Sequence, residues 1–190
     1  VPDLRRNPPP SRFWEALSHI VVDPEDIRGL GLLALIAGKP LLALSILEAA
    51  SQAGSAHALL DIAKIQNEVL GQPLKSANAI KRLLELGDAE FPDHSLRPSL
   101  GLRLYEGGRR AEALAVLRAE RAAQCAESLT NLGVLQMDED PAEARLALEE
   151  AMALGNAAAA TNLGNLTELE GDSATAMDIW REGMRRGSAR

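Results

Sequence analysis

The sequence predicts an all-α fold built from about five helix-turn-helix repeats. The tripeptide Asn-Leu-Gly occurs at 131–133 and again at 162–164, a separation of 31 residues. No segment shows the period-two alternation of a β-strand, whereas apolar residues recur at helical spacing throughout. Small residues expected inside the helical hairpins recur every 31 to 36 residues, at Ala43, Ala79, Ala113, Ala144 and Ala176.

These intervals divide the chain into an N-terminal segment and a repeat domain. Residues 1–24 form a proline-rich tail, with Arg-Arg-Asn-Pro-Pro-Pro at 5–10, and a predicted capping helix. We expect this helix to cover the apolar end of the first hairpin, and the alternative is that it binds a partner. Its apolar face comprises Phe13, Trp14, Leu17, Ile20 and Val21. The repeat domain covers 25–190, with repeats at 25–56, 57–93, 94–125, 126–157 and 158–190.

Each repeat contains a turn that ends one helix and starts the next. Glycine adopts the left-handed conformation at low cost, and proline is favoured in the first turn of a helix. The fourth turn has Asp140 before Pro141 and Glu143, which predicts a capping box. The turns are Gly-Lys-Pro at 38–40, Gly-Gln-Pro at 71–73, Gly-Gly-Arg at 107–109, Asp-Glu-Asp-Pro at 138–141 and Gly-Asp-Ser at 171–173.

The first helix of each repeat carries a large aliphatic residue followed by a small one. The small residue is expected to let the two helices of the hairpin approach closely, while its neighbour fills the space between hairpins. Burial of each large side chain contributes about 1.5–3 kcal/mol, which exceeds the cost of about 1 kcal/mol for a helical glycine. The pairs are Leu30-Gly31, Ile62-Ala63, Leu100-Gly101, Leu132-Gly133 and Leu163-Gly164.

These motifs resemble the tetratricopeptide repeat superfamily, and residues 155–189 most resemble its Sel-like branch. The residues that carry this resemblance are Leu163, Gly164, Ala176, Trp180, Gly187 and Ala189. The resemblance is strongest over 126–190 and weakest over 57–125. It implies an α-solenoid wound into a right-handed superhelix. It also implies that a concave surface, lined by the first helices, holds a peptide or a helix of a partner protein.

A candidate partner-binding groove follows from projecting the first helices onto that surface. Its middle is apolar, which favours an apolar peptide or helix over the acidic tail of a chaperone, because the basic side chains are scattered over several repeats. The alternative is that Leu102 and Met137 simply pack in the core. The groove residues are Arg28, Leu60, Lys64, Asn67, Leu102, Tyr105, Val134, Met137 and Asn165.

The sequence predicts no catalytic site, metal site or cofactor. His19, His57 and His94 lie in different repeats, and the acidic residues at 138–140 are explained by helix capping. The Gly-Gly-Arg-Arg stretch at 107–110 lacks the phosphate-loop pattern. We therefore expect a non-enzymatic scaffold or adaptor for protein partners. The alternatives are a regulatory or sensor region of a larger enzyme or signalling protein, and self-association through the C-terminal hairpin.

Charge and cysteine content limit the possible partners and compartments. Lys and Arg number 20 against 27 Asp and Glu, and the net charge of −7 argues against nucleic-acid binding. One cysteine and no long apolar run predict a cytoplasmic protein without a membrane span, although a chain that starts at Val1 suggests a trimmed N-terminus. Residues 94–125 carry a net +3 and residues 126–157 a net −6. We favour solvated faces over the two alternatives, attraction between these repeats and binding of a basic partner by the acidic repeat.

Overall fold

A computed structural model describes residues 23–86 and 93–187 of the chain. Within these ranges the regular secondary structure is entirely helical, so the predicted all-α class is confirmed. The helices are α1 (Pro24–Ile36), α2 (Pro40–Gln52), α3 (Ala56–Lys64, continued by a π-helical turn Ile65–Val69), α4 (Pro73–Leu86), α5 (Asp93–Glu106), α6 (Arg110–Ala119), α7 (Ala126–Gln136), α8 (Pro141–Ala153), α9 (Ala157–Leu169) and α10 (Ser173–Gly187). The proline-rich tail and the predicted capping helix, as far as position 22, lie outside the described residues.

The chain divides into two compact units, an N-terminal unit (Val1–Pro92) and a C-terminal unit (Asp93–Arg190). In the N-terminal unit, α1 pairs with α2 and α3 pairs with α4, and α3 also packs against both helices of the preceding hairpin. The C-terminal unit contains the hairpins α5–α6, α7–α8 and α9–α10. There, α7 packs on α5 and α6, and α9 packs on α7 and α8. Within each unit this stacking is that of an α-solenoid, with two hairpins in the N-terminal unit and three in the C-terminal unit of the described part of the chain.

The turns within the hairpins follow the chemistry expected from the sequence. Gly38 has a φ of 73°, and its N–H donates to the Leu35 carbonyl at 2.9 Å, which closes α1. Pro40 then occupies the first position of α2. Between hairpins the same role falls to Gly155, whose φ is 87°. Both conformations favour glycine because a β-carbon would be strained there.

Close packing at the small residue of the first helix is also confirmed. A β-carbon added to Gly133 would lie 2.5 Å from Cγ of Leu148, which is far inside van der Waals contact. Gly164 holds the corresponding position beneath the ring of Trp180. Neighbouring hairpins also share a hydrophobic core, because Leu148 of α8 and Leu163 of α9 belong to one buried cluster. Stacking therefore supplies the core that a single hairpin lacks.

The second repeat differs from its expected register. The small residue lies at the fourth position of α2, α6, α8 and α10, but the fourth residue of α4 is Ser76 rather than Ala79. Both side chains are buried, so Ala79 supports the core one turn further along the helix. Ala79 is thus buried in the hairpin as expected, but Ser76 holds the position equivalent to the other small residues, because the interval between repeats varies here.

Only half of the predicted capping box forms at the start of α8. The Asp140 side chain accepts a hydrogen bond from the Glu143 amide at 3.0 Å, as expected of an N-cap. The reciprocal bond from the Asp140 amide goes instead to the Gln136 carbonyl at 2.8 Å. The Glu143 carboxylate is occupied by other partners, which are described below.

Candidate partner-binding surfaces

The predicted groove residues of the N-terminal unit lie on α1, on α3 and in the π-helical turn. Arg28 on α1 donates from Nε to the Asp61 carboxylate at 2.6 Å and from Nη1 to Glu25 at 3.0 Å. The hydrogen bond with Asp61 is the main reason that the pKa of Arg28 is raised. Its guanidinium therefore joins α1 to α3, and two carboxylates of its own unit already satisfy it.

A polar cluster extends from Arg28 to the start of α3. The Ser55 hydroxyl donates to Glu25 at 2.5 Å and accepts the Ala58 amide at 3.1 Å, so this one side chain caps α3 and bonds α1. The hydrogen bond from Ser55 is the largest influence lowering the pKa of Glu25. His57 Nδ1 lies 3.8 Å from the same carboxylate. This cluster stabilises the contact between the first two hairpins.

The other groove residues of the N-terminal unit differ in exposure. Leu60 and Asn67 are half-buried, whereas Lys64 is exposed. Asn67 belongs to the π-helical turn, where its carbonyl accepts the Gly71 amide at 3.2 Å. The Lys64 and Asn67 side chains are the polar groups that this part of the predicted groove offers to a partner.

In the C-terminal unit, three first helices lie side by side and present equivalent positions. The residue that follows the packing glycine is Leu102 on α5, Val134 on α7 and Asn165 on α9, and Leu102 is half-buried while the other two are exposed. Tyr105 lies one turn beyond Leu102. The exposed fractions of Val134 and Tyr105 are 43% and 39%. We call Leu102, Tyr105, Val134 and Asn165 the first-helix face.

Met137 is placed differently from the other predicted residues. It caps the C-terminal end of α7 and packs, partly buried, against the core cluster that contains Leu129 and Leu166. Met137 therefore packs partly in the core, as in the alternative given above. Its role in the groove stays a prediction. Its remaining exposed surface lies at the end of α7.

Arg110 supports the first-helix face, and sequence reasoning assigned it only to a turn. Its guanidinium carbon lies 5.5 Å from the centroid of the Tyr105 ring, a cation–π distance. Nη2 donates to the Leu135 carbonyl at 2.6 Å and to Gln136 at 3.0 Å. Arg110 thus joins the Tyr105 ring to the C-terminal end of α7. The signal in the sequence was a basic residue three positions before the small anchor Ala113.

Ion pairs join the third and fourth repeats, and the preference for solvated faces was wrong. Arg118 on α6 binds the Glu143 carboxylate of α8 through Nε at 2.8 Å and Nη2 at 2.5 Å. Arg121 similarly contacts Glu150 at 2.8 Å. The hydrogen bonds from Arg118 and, secondarily, from Gln136 lower the pKa of Glu143 to about 2, against its desolvation. The basic and acidic repeats attract each other directly.

Metal-binding and membrane-spanning features are absent from the described ranges. No group of three or more His, Cys, Asp or Glu side chains in residues 23–86 and 93–187 is arranged to hold a metal ion. None of the helices in the part of the chain that the structure describes is long and apolar enough to cross a bilayer.

The stacked hairpins and their packing glycines define a tetratricopeptide-repeat fold. No protein-family profile and no curated protein matches the sequence. Among solved structures, MamA (residues 41 to the end) from Desulfovibrio magneticus RS-1 has a TM-score of 0.65 at 19% identity, over 88% of this chain and 97% of that chain. YrrB, described as a TPR protein with an unusual peptide-binding site, has a TM-score of 0.59 at 17% identity over 90% of each chain. PilF of Pseudomonas aeruginosa has a TM-score of 0.62 at 21% identity, over 85% of this chain and 76% of that chain.

Proposed function

We propose that this chain is a non-enzymatic scaffold that binds an apolar peptide or helix on the first-helix face of its C-terminal unit. The observation that carries the proposal is the partial exposure of Leu102, Tyr105 and Val134 on two helices that pack side by side. Partly exposed apolar side chains at equivalent positions of neighbouring helices are typical of grooves that receive a peptide. The peptide-binding site of YrrB supports this use of the fold.

The first-helix face offers both affinity and orientation. Tyr105 is an aromatic anchor of the kind that contributes most to protein interfaces, and Arg110 holds its ring in place. Asn165, exposed on the neighbouring α9, presents an amide that can pair with the backbone of an extended peptide. In the N-terminal unit, Leu60, Lys64 and Asn67 form a second, more polar candidate surface. Arg28 contributes to the stability of that surface rather than to contact with an acidic partner.

The same proposal places the fourth and fifth repeats in the Sel-like branch and the protein in the cytoplasm. Support for the branch comes from the packing of Gly164 beneath Trp180 and from the complete burial of Ala176. A single cysteine fits a reducing compartment.

A peptide selection tests the proposed surface and does not require the natural partner. The purified chain is immobilised and used to select ligands from a displayed library of random twelve-residue peptides. The affinity of the selected peptides is then measured by calorimetry against Val134→Glu and Tyr105→Glu. An apolar ligand would remove water from a carboxylate introduced at either position, so both variants are expected to bind at least about tenfold more weakly.

Leu146→Glu is the matched control, because Leu146 is an exposed leucine on α8, a second helix of the same unit. This control is expected to bind like the wild type. Circular dichroism verifies that all three variants remain helical. Selected peptides that bind the two first-helix variants as tightly as the wild type would overturn the assignment.

A further inference from the structure

The outer face of α1 is more exposed than the equivalent faces of later first helices. Leu33, two residues after the packing glycine, has 40% of its surface exposed. The residues at the same position of α7 and α9 are Leu135 and Leu166, which are only 6% and 3% exposed. Leu30 is likewise half-buried, although its counterparts in the other first helices are fully buried. The first hairpin thus exposes leucine side chains at two positions whose counterparts in α7 and α9 are buried.

The helix that covers this position elsewhere is the one that precedes it in the chain. The second helices α2, α6 and α8 pack on α3, α7 and α9, respectively. For α9 the contact is explicit, because Leu163 and Leu166 share a buried cluster with Ala151 of α8. In the equivalent arrangement, the cover for α1 comes from the chain that leads into Asp23.

The φ and ψ angles of Asp23 are similar to those of the N-cap residues of other first helices. As the N-cap of α1, Asp23 has φ −73° and ψ 125°. Ser55 has −77° and 109° before α3, and Asn156 has −78° and 110° before α9. Each of those residues connects a first helix to a second helix that lies against it. The chain therefore enters α1 with the same extended N-cap conformation that it has at the starts of α3 and α9.

The chain before Asp23 has the length and composition of such a cover. Residues 11–22 are twelve in number, comparable with the 10 to 13 residues of α2, α6 and α8. At helical spacing, Phe13, Trp14, Leu17 and Val21 fall on one face. We propose that residues 11–21 of this chain cover Leu30 and Leu33 of α1 and complete the stacked core of the N-terminal unit.

Disulfide trapping in the full chain tests this proposal directly. In a Cys125→Ser background, Leu17→Cys is combined with Leu33→Cys and oxidised at low protein concentration. The expected product is an intrachain disulfide with the mass of a monomer. Leu17→Cys with Val69→Cys is the control pair, since Val69 is an exposed residue in the turn that ends α3. That pair is expected to stay reduced. A covalent dimer would show that a second copy covers α1, and cross-linking of neither pair would also overturn the proposal.

A double-mutant cycle provides a test that does not require cysteines. Leu17→Ala and Leu33→Ala are made singly and together in the full chain, and their urea unfolding midpoints are compared. We expect the loss caused by Leu33→Ala to be smaller when Leu17 is already alanine. Leu17→Ala with Val69→Ala is expected to be additive. Additive losses for Leu17 and Leu33 would contradict the contact.

Discussion

Leu47 of α2 lies directly against Gly31 of α1, and a β-carbon built on Gly31 would come within 2.7 Å of the Leu47 Cγ. Gly101 with Leu117 and Gly133 with Leu148 repeat this relationship in the C-terminal unit. These glycines lie inside helices, so their backbone conformation does not require glycine. Glycine is required because a side chain of the partner helix lies where a β-carbon would be. Each of these three hairpins therefore contains a close glycine–leucine contact between its two helices.

Gly31→Ala is expected to destabilise the protein, because the new methyl group would displace Leu47 from a closely packed core. We expect a loss of about 1–3 kcal/mol in the free energy of unfolding, measured by urea denaturation. Gly29 is the matched control in the same helix, with no atom within 4 Å of an added β-carbon. Gly29→Ala is expected to stabilise the protein by about 0.5–1 kcal/mol. Equal effects of the two substitutions would contradict the packing described for α1 and α2.

Asn156 makes a second testable contribution, at the start of the run of four alanines that opens α9. Its side-chain oxygen accepts the Ala158 and Ala159 amides at 3.0 and 3.2 Å. Asn156→Ala is expected to cost about 0.5–2 kcal/mol, since both amides lose their acceptor. Asn156→Asp keeps an acceptor and is expected to retain most of the stability. Thermal unfolding followed by circular dichroism distinguishes the two, and an alanine variant as stable as the aspartate variant would rule out the cap.

The pair formed by Glu143 and Arg118 predicts a specific pH dependence. The pKa of Glu143 falls from 4.5 to about 2 in the folded protein, so its carboxylate stabilises the fold fully above the unfolded value. That stability is lost as the pH falls from about 4.5 towards 2. Because the Arg118 side chain is 48% exposed, we expect Glu143→Gln to cost about 1–2 kcal/mol at pH 7. The difference between variant and wild type should vanish near pH 2.

Asp178→Asn is the control for this pH series. Asp178 pairs with Arg181 at 2.9 Å, but both side chains are mostly exposed, and solvent screens the interaction. We expect no measurable change in the unfolding midpoint for this variant at pH 7. A Glu143→Gln effect that stayed constant between pH 7 and pH 2 would show that the carboxylate charge is not the cause.

Much of the fold is readable from the sequence because the repeats impose strong local constraints. The glycine at 133 and the leucine at 148 recur at nearly fixed spacing, so the packing contact could be located without coordinates. The interval around Ala79 could not be assigned in the same way, since Ser76 and Ala79 are both small and both buried. Spacing alone does not distinguish them.

The surfaces were harder to predict than the core. Arg28 was placed in the groove, yet it pairs with Asp61, 33 residues away on the next first helix. The pairing of Arg118 with Glu143 is also a contact between repeats that residue spacing does not encode. The sequence also does not show which apolar residues are partly exposed. Val134 is exposed to solvent, whereas Met137, three residues later, packs on the core cluster.

The first-helix face of the C-terminal unit should contact any apolar peptide that the chain binds. Methyl NMR of the full chain, titrated with a peptide selected on the wild type, reports this contact residue by residue. We expect the methyl signals of Leu102 and Val134 to shift on binding, while that of Leu146 on α8 does not. Shifts confined to Leu146 and other methyl groups of the second helices, with Leu102 and Val134 unchanged, would contradict binding at this face.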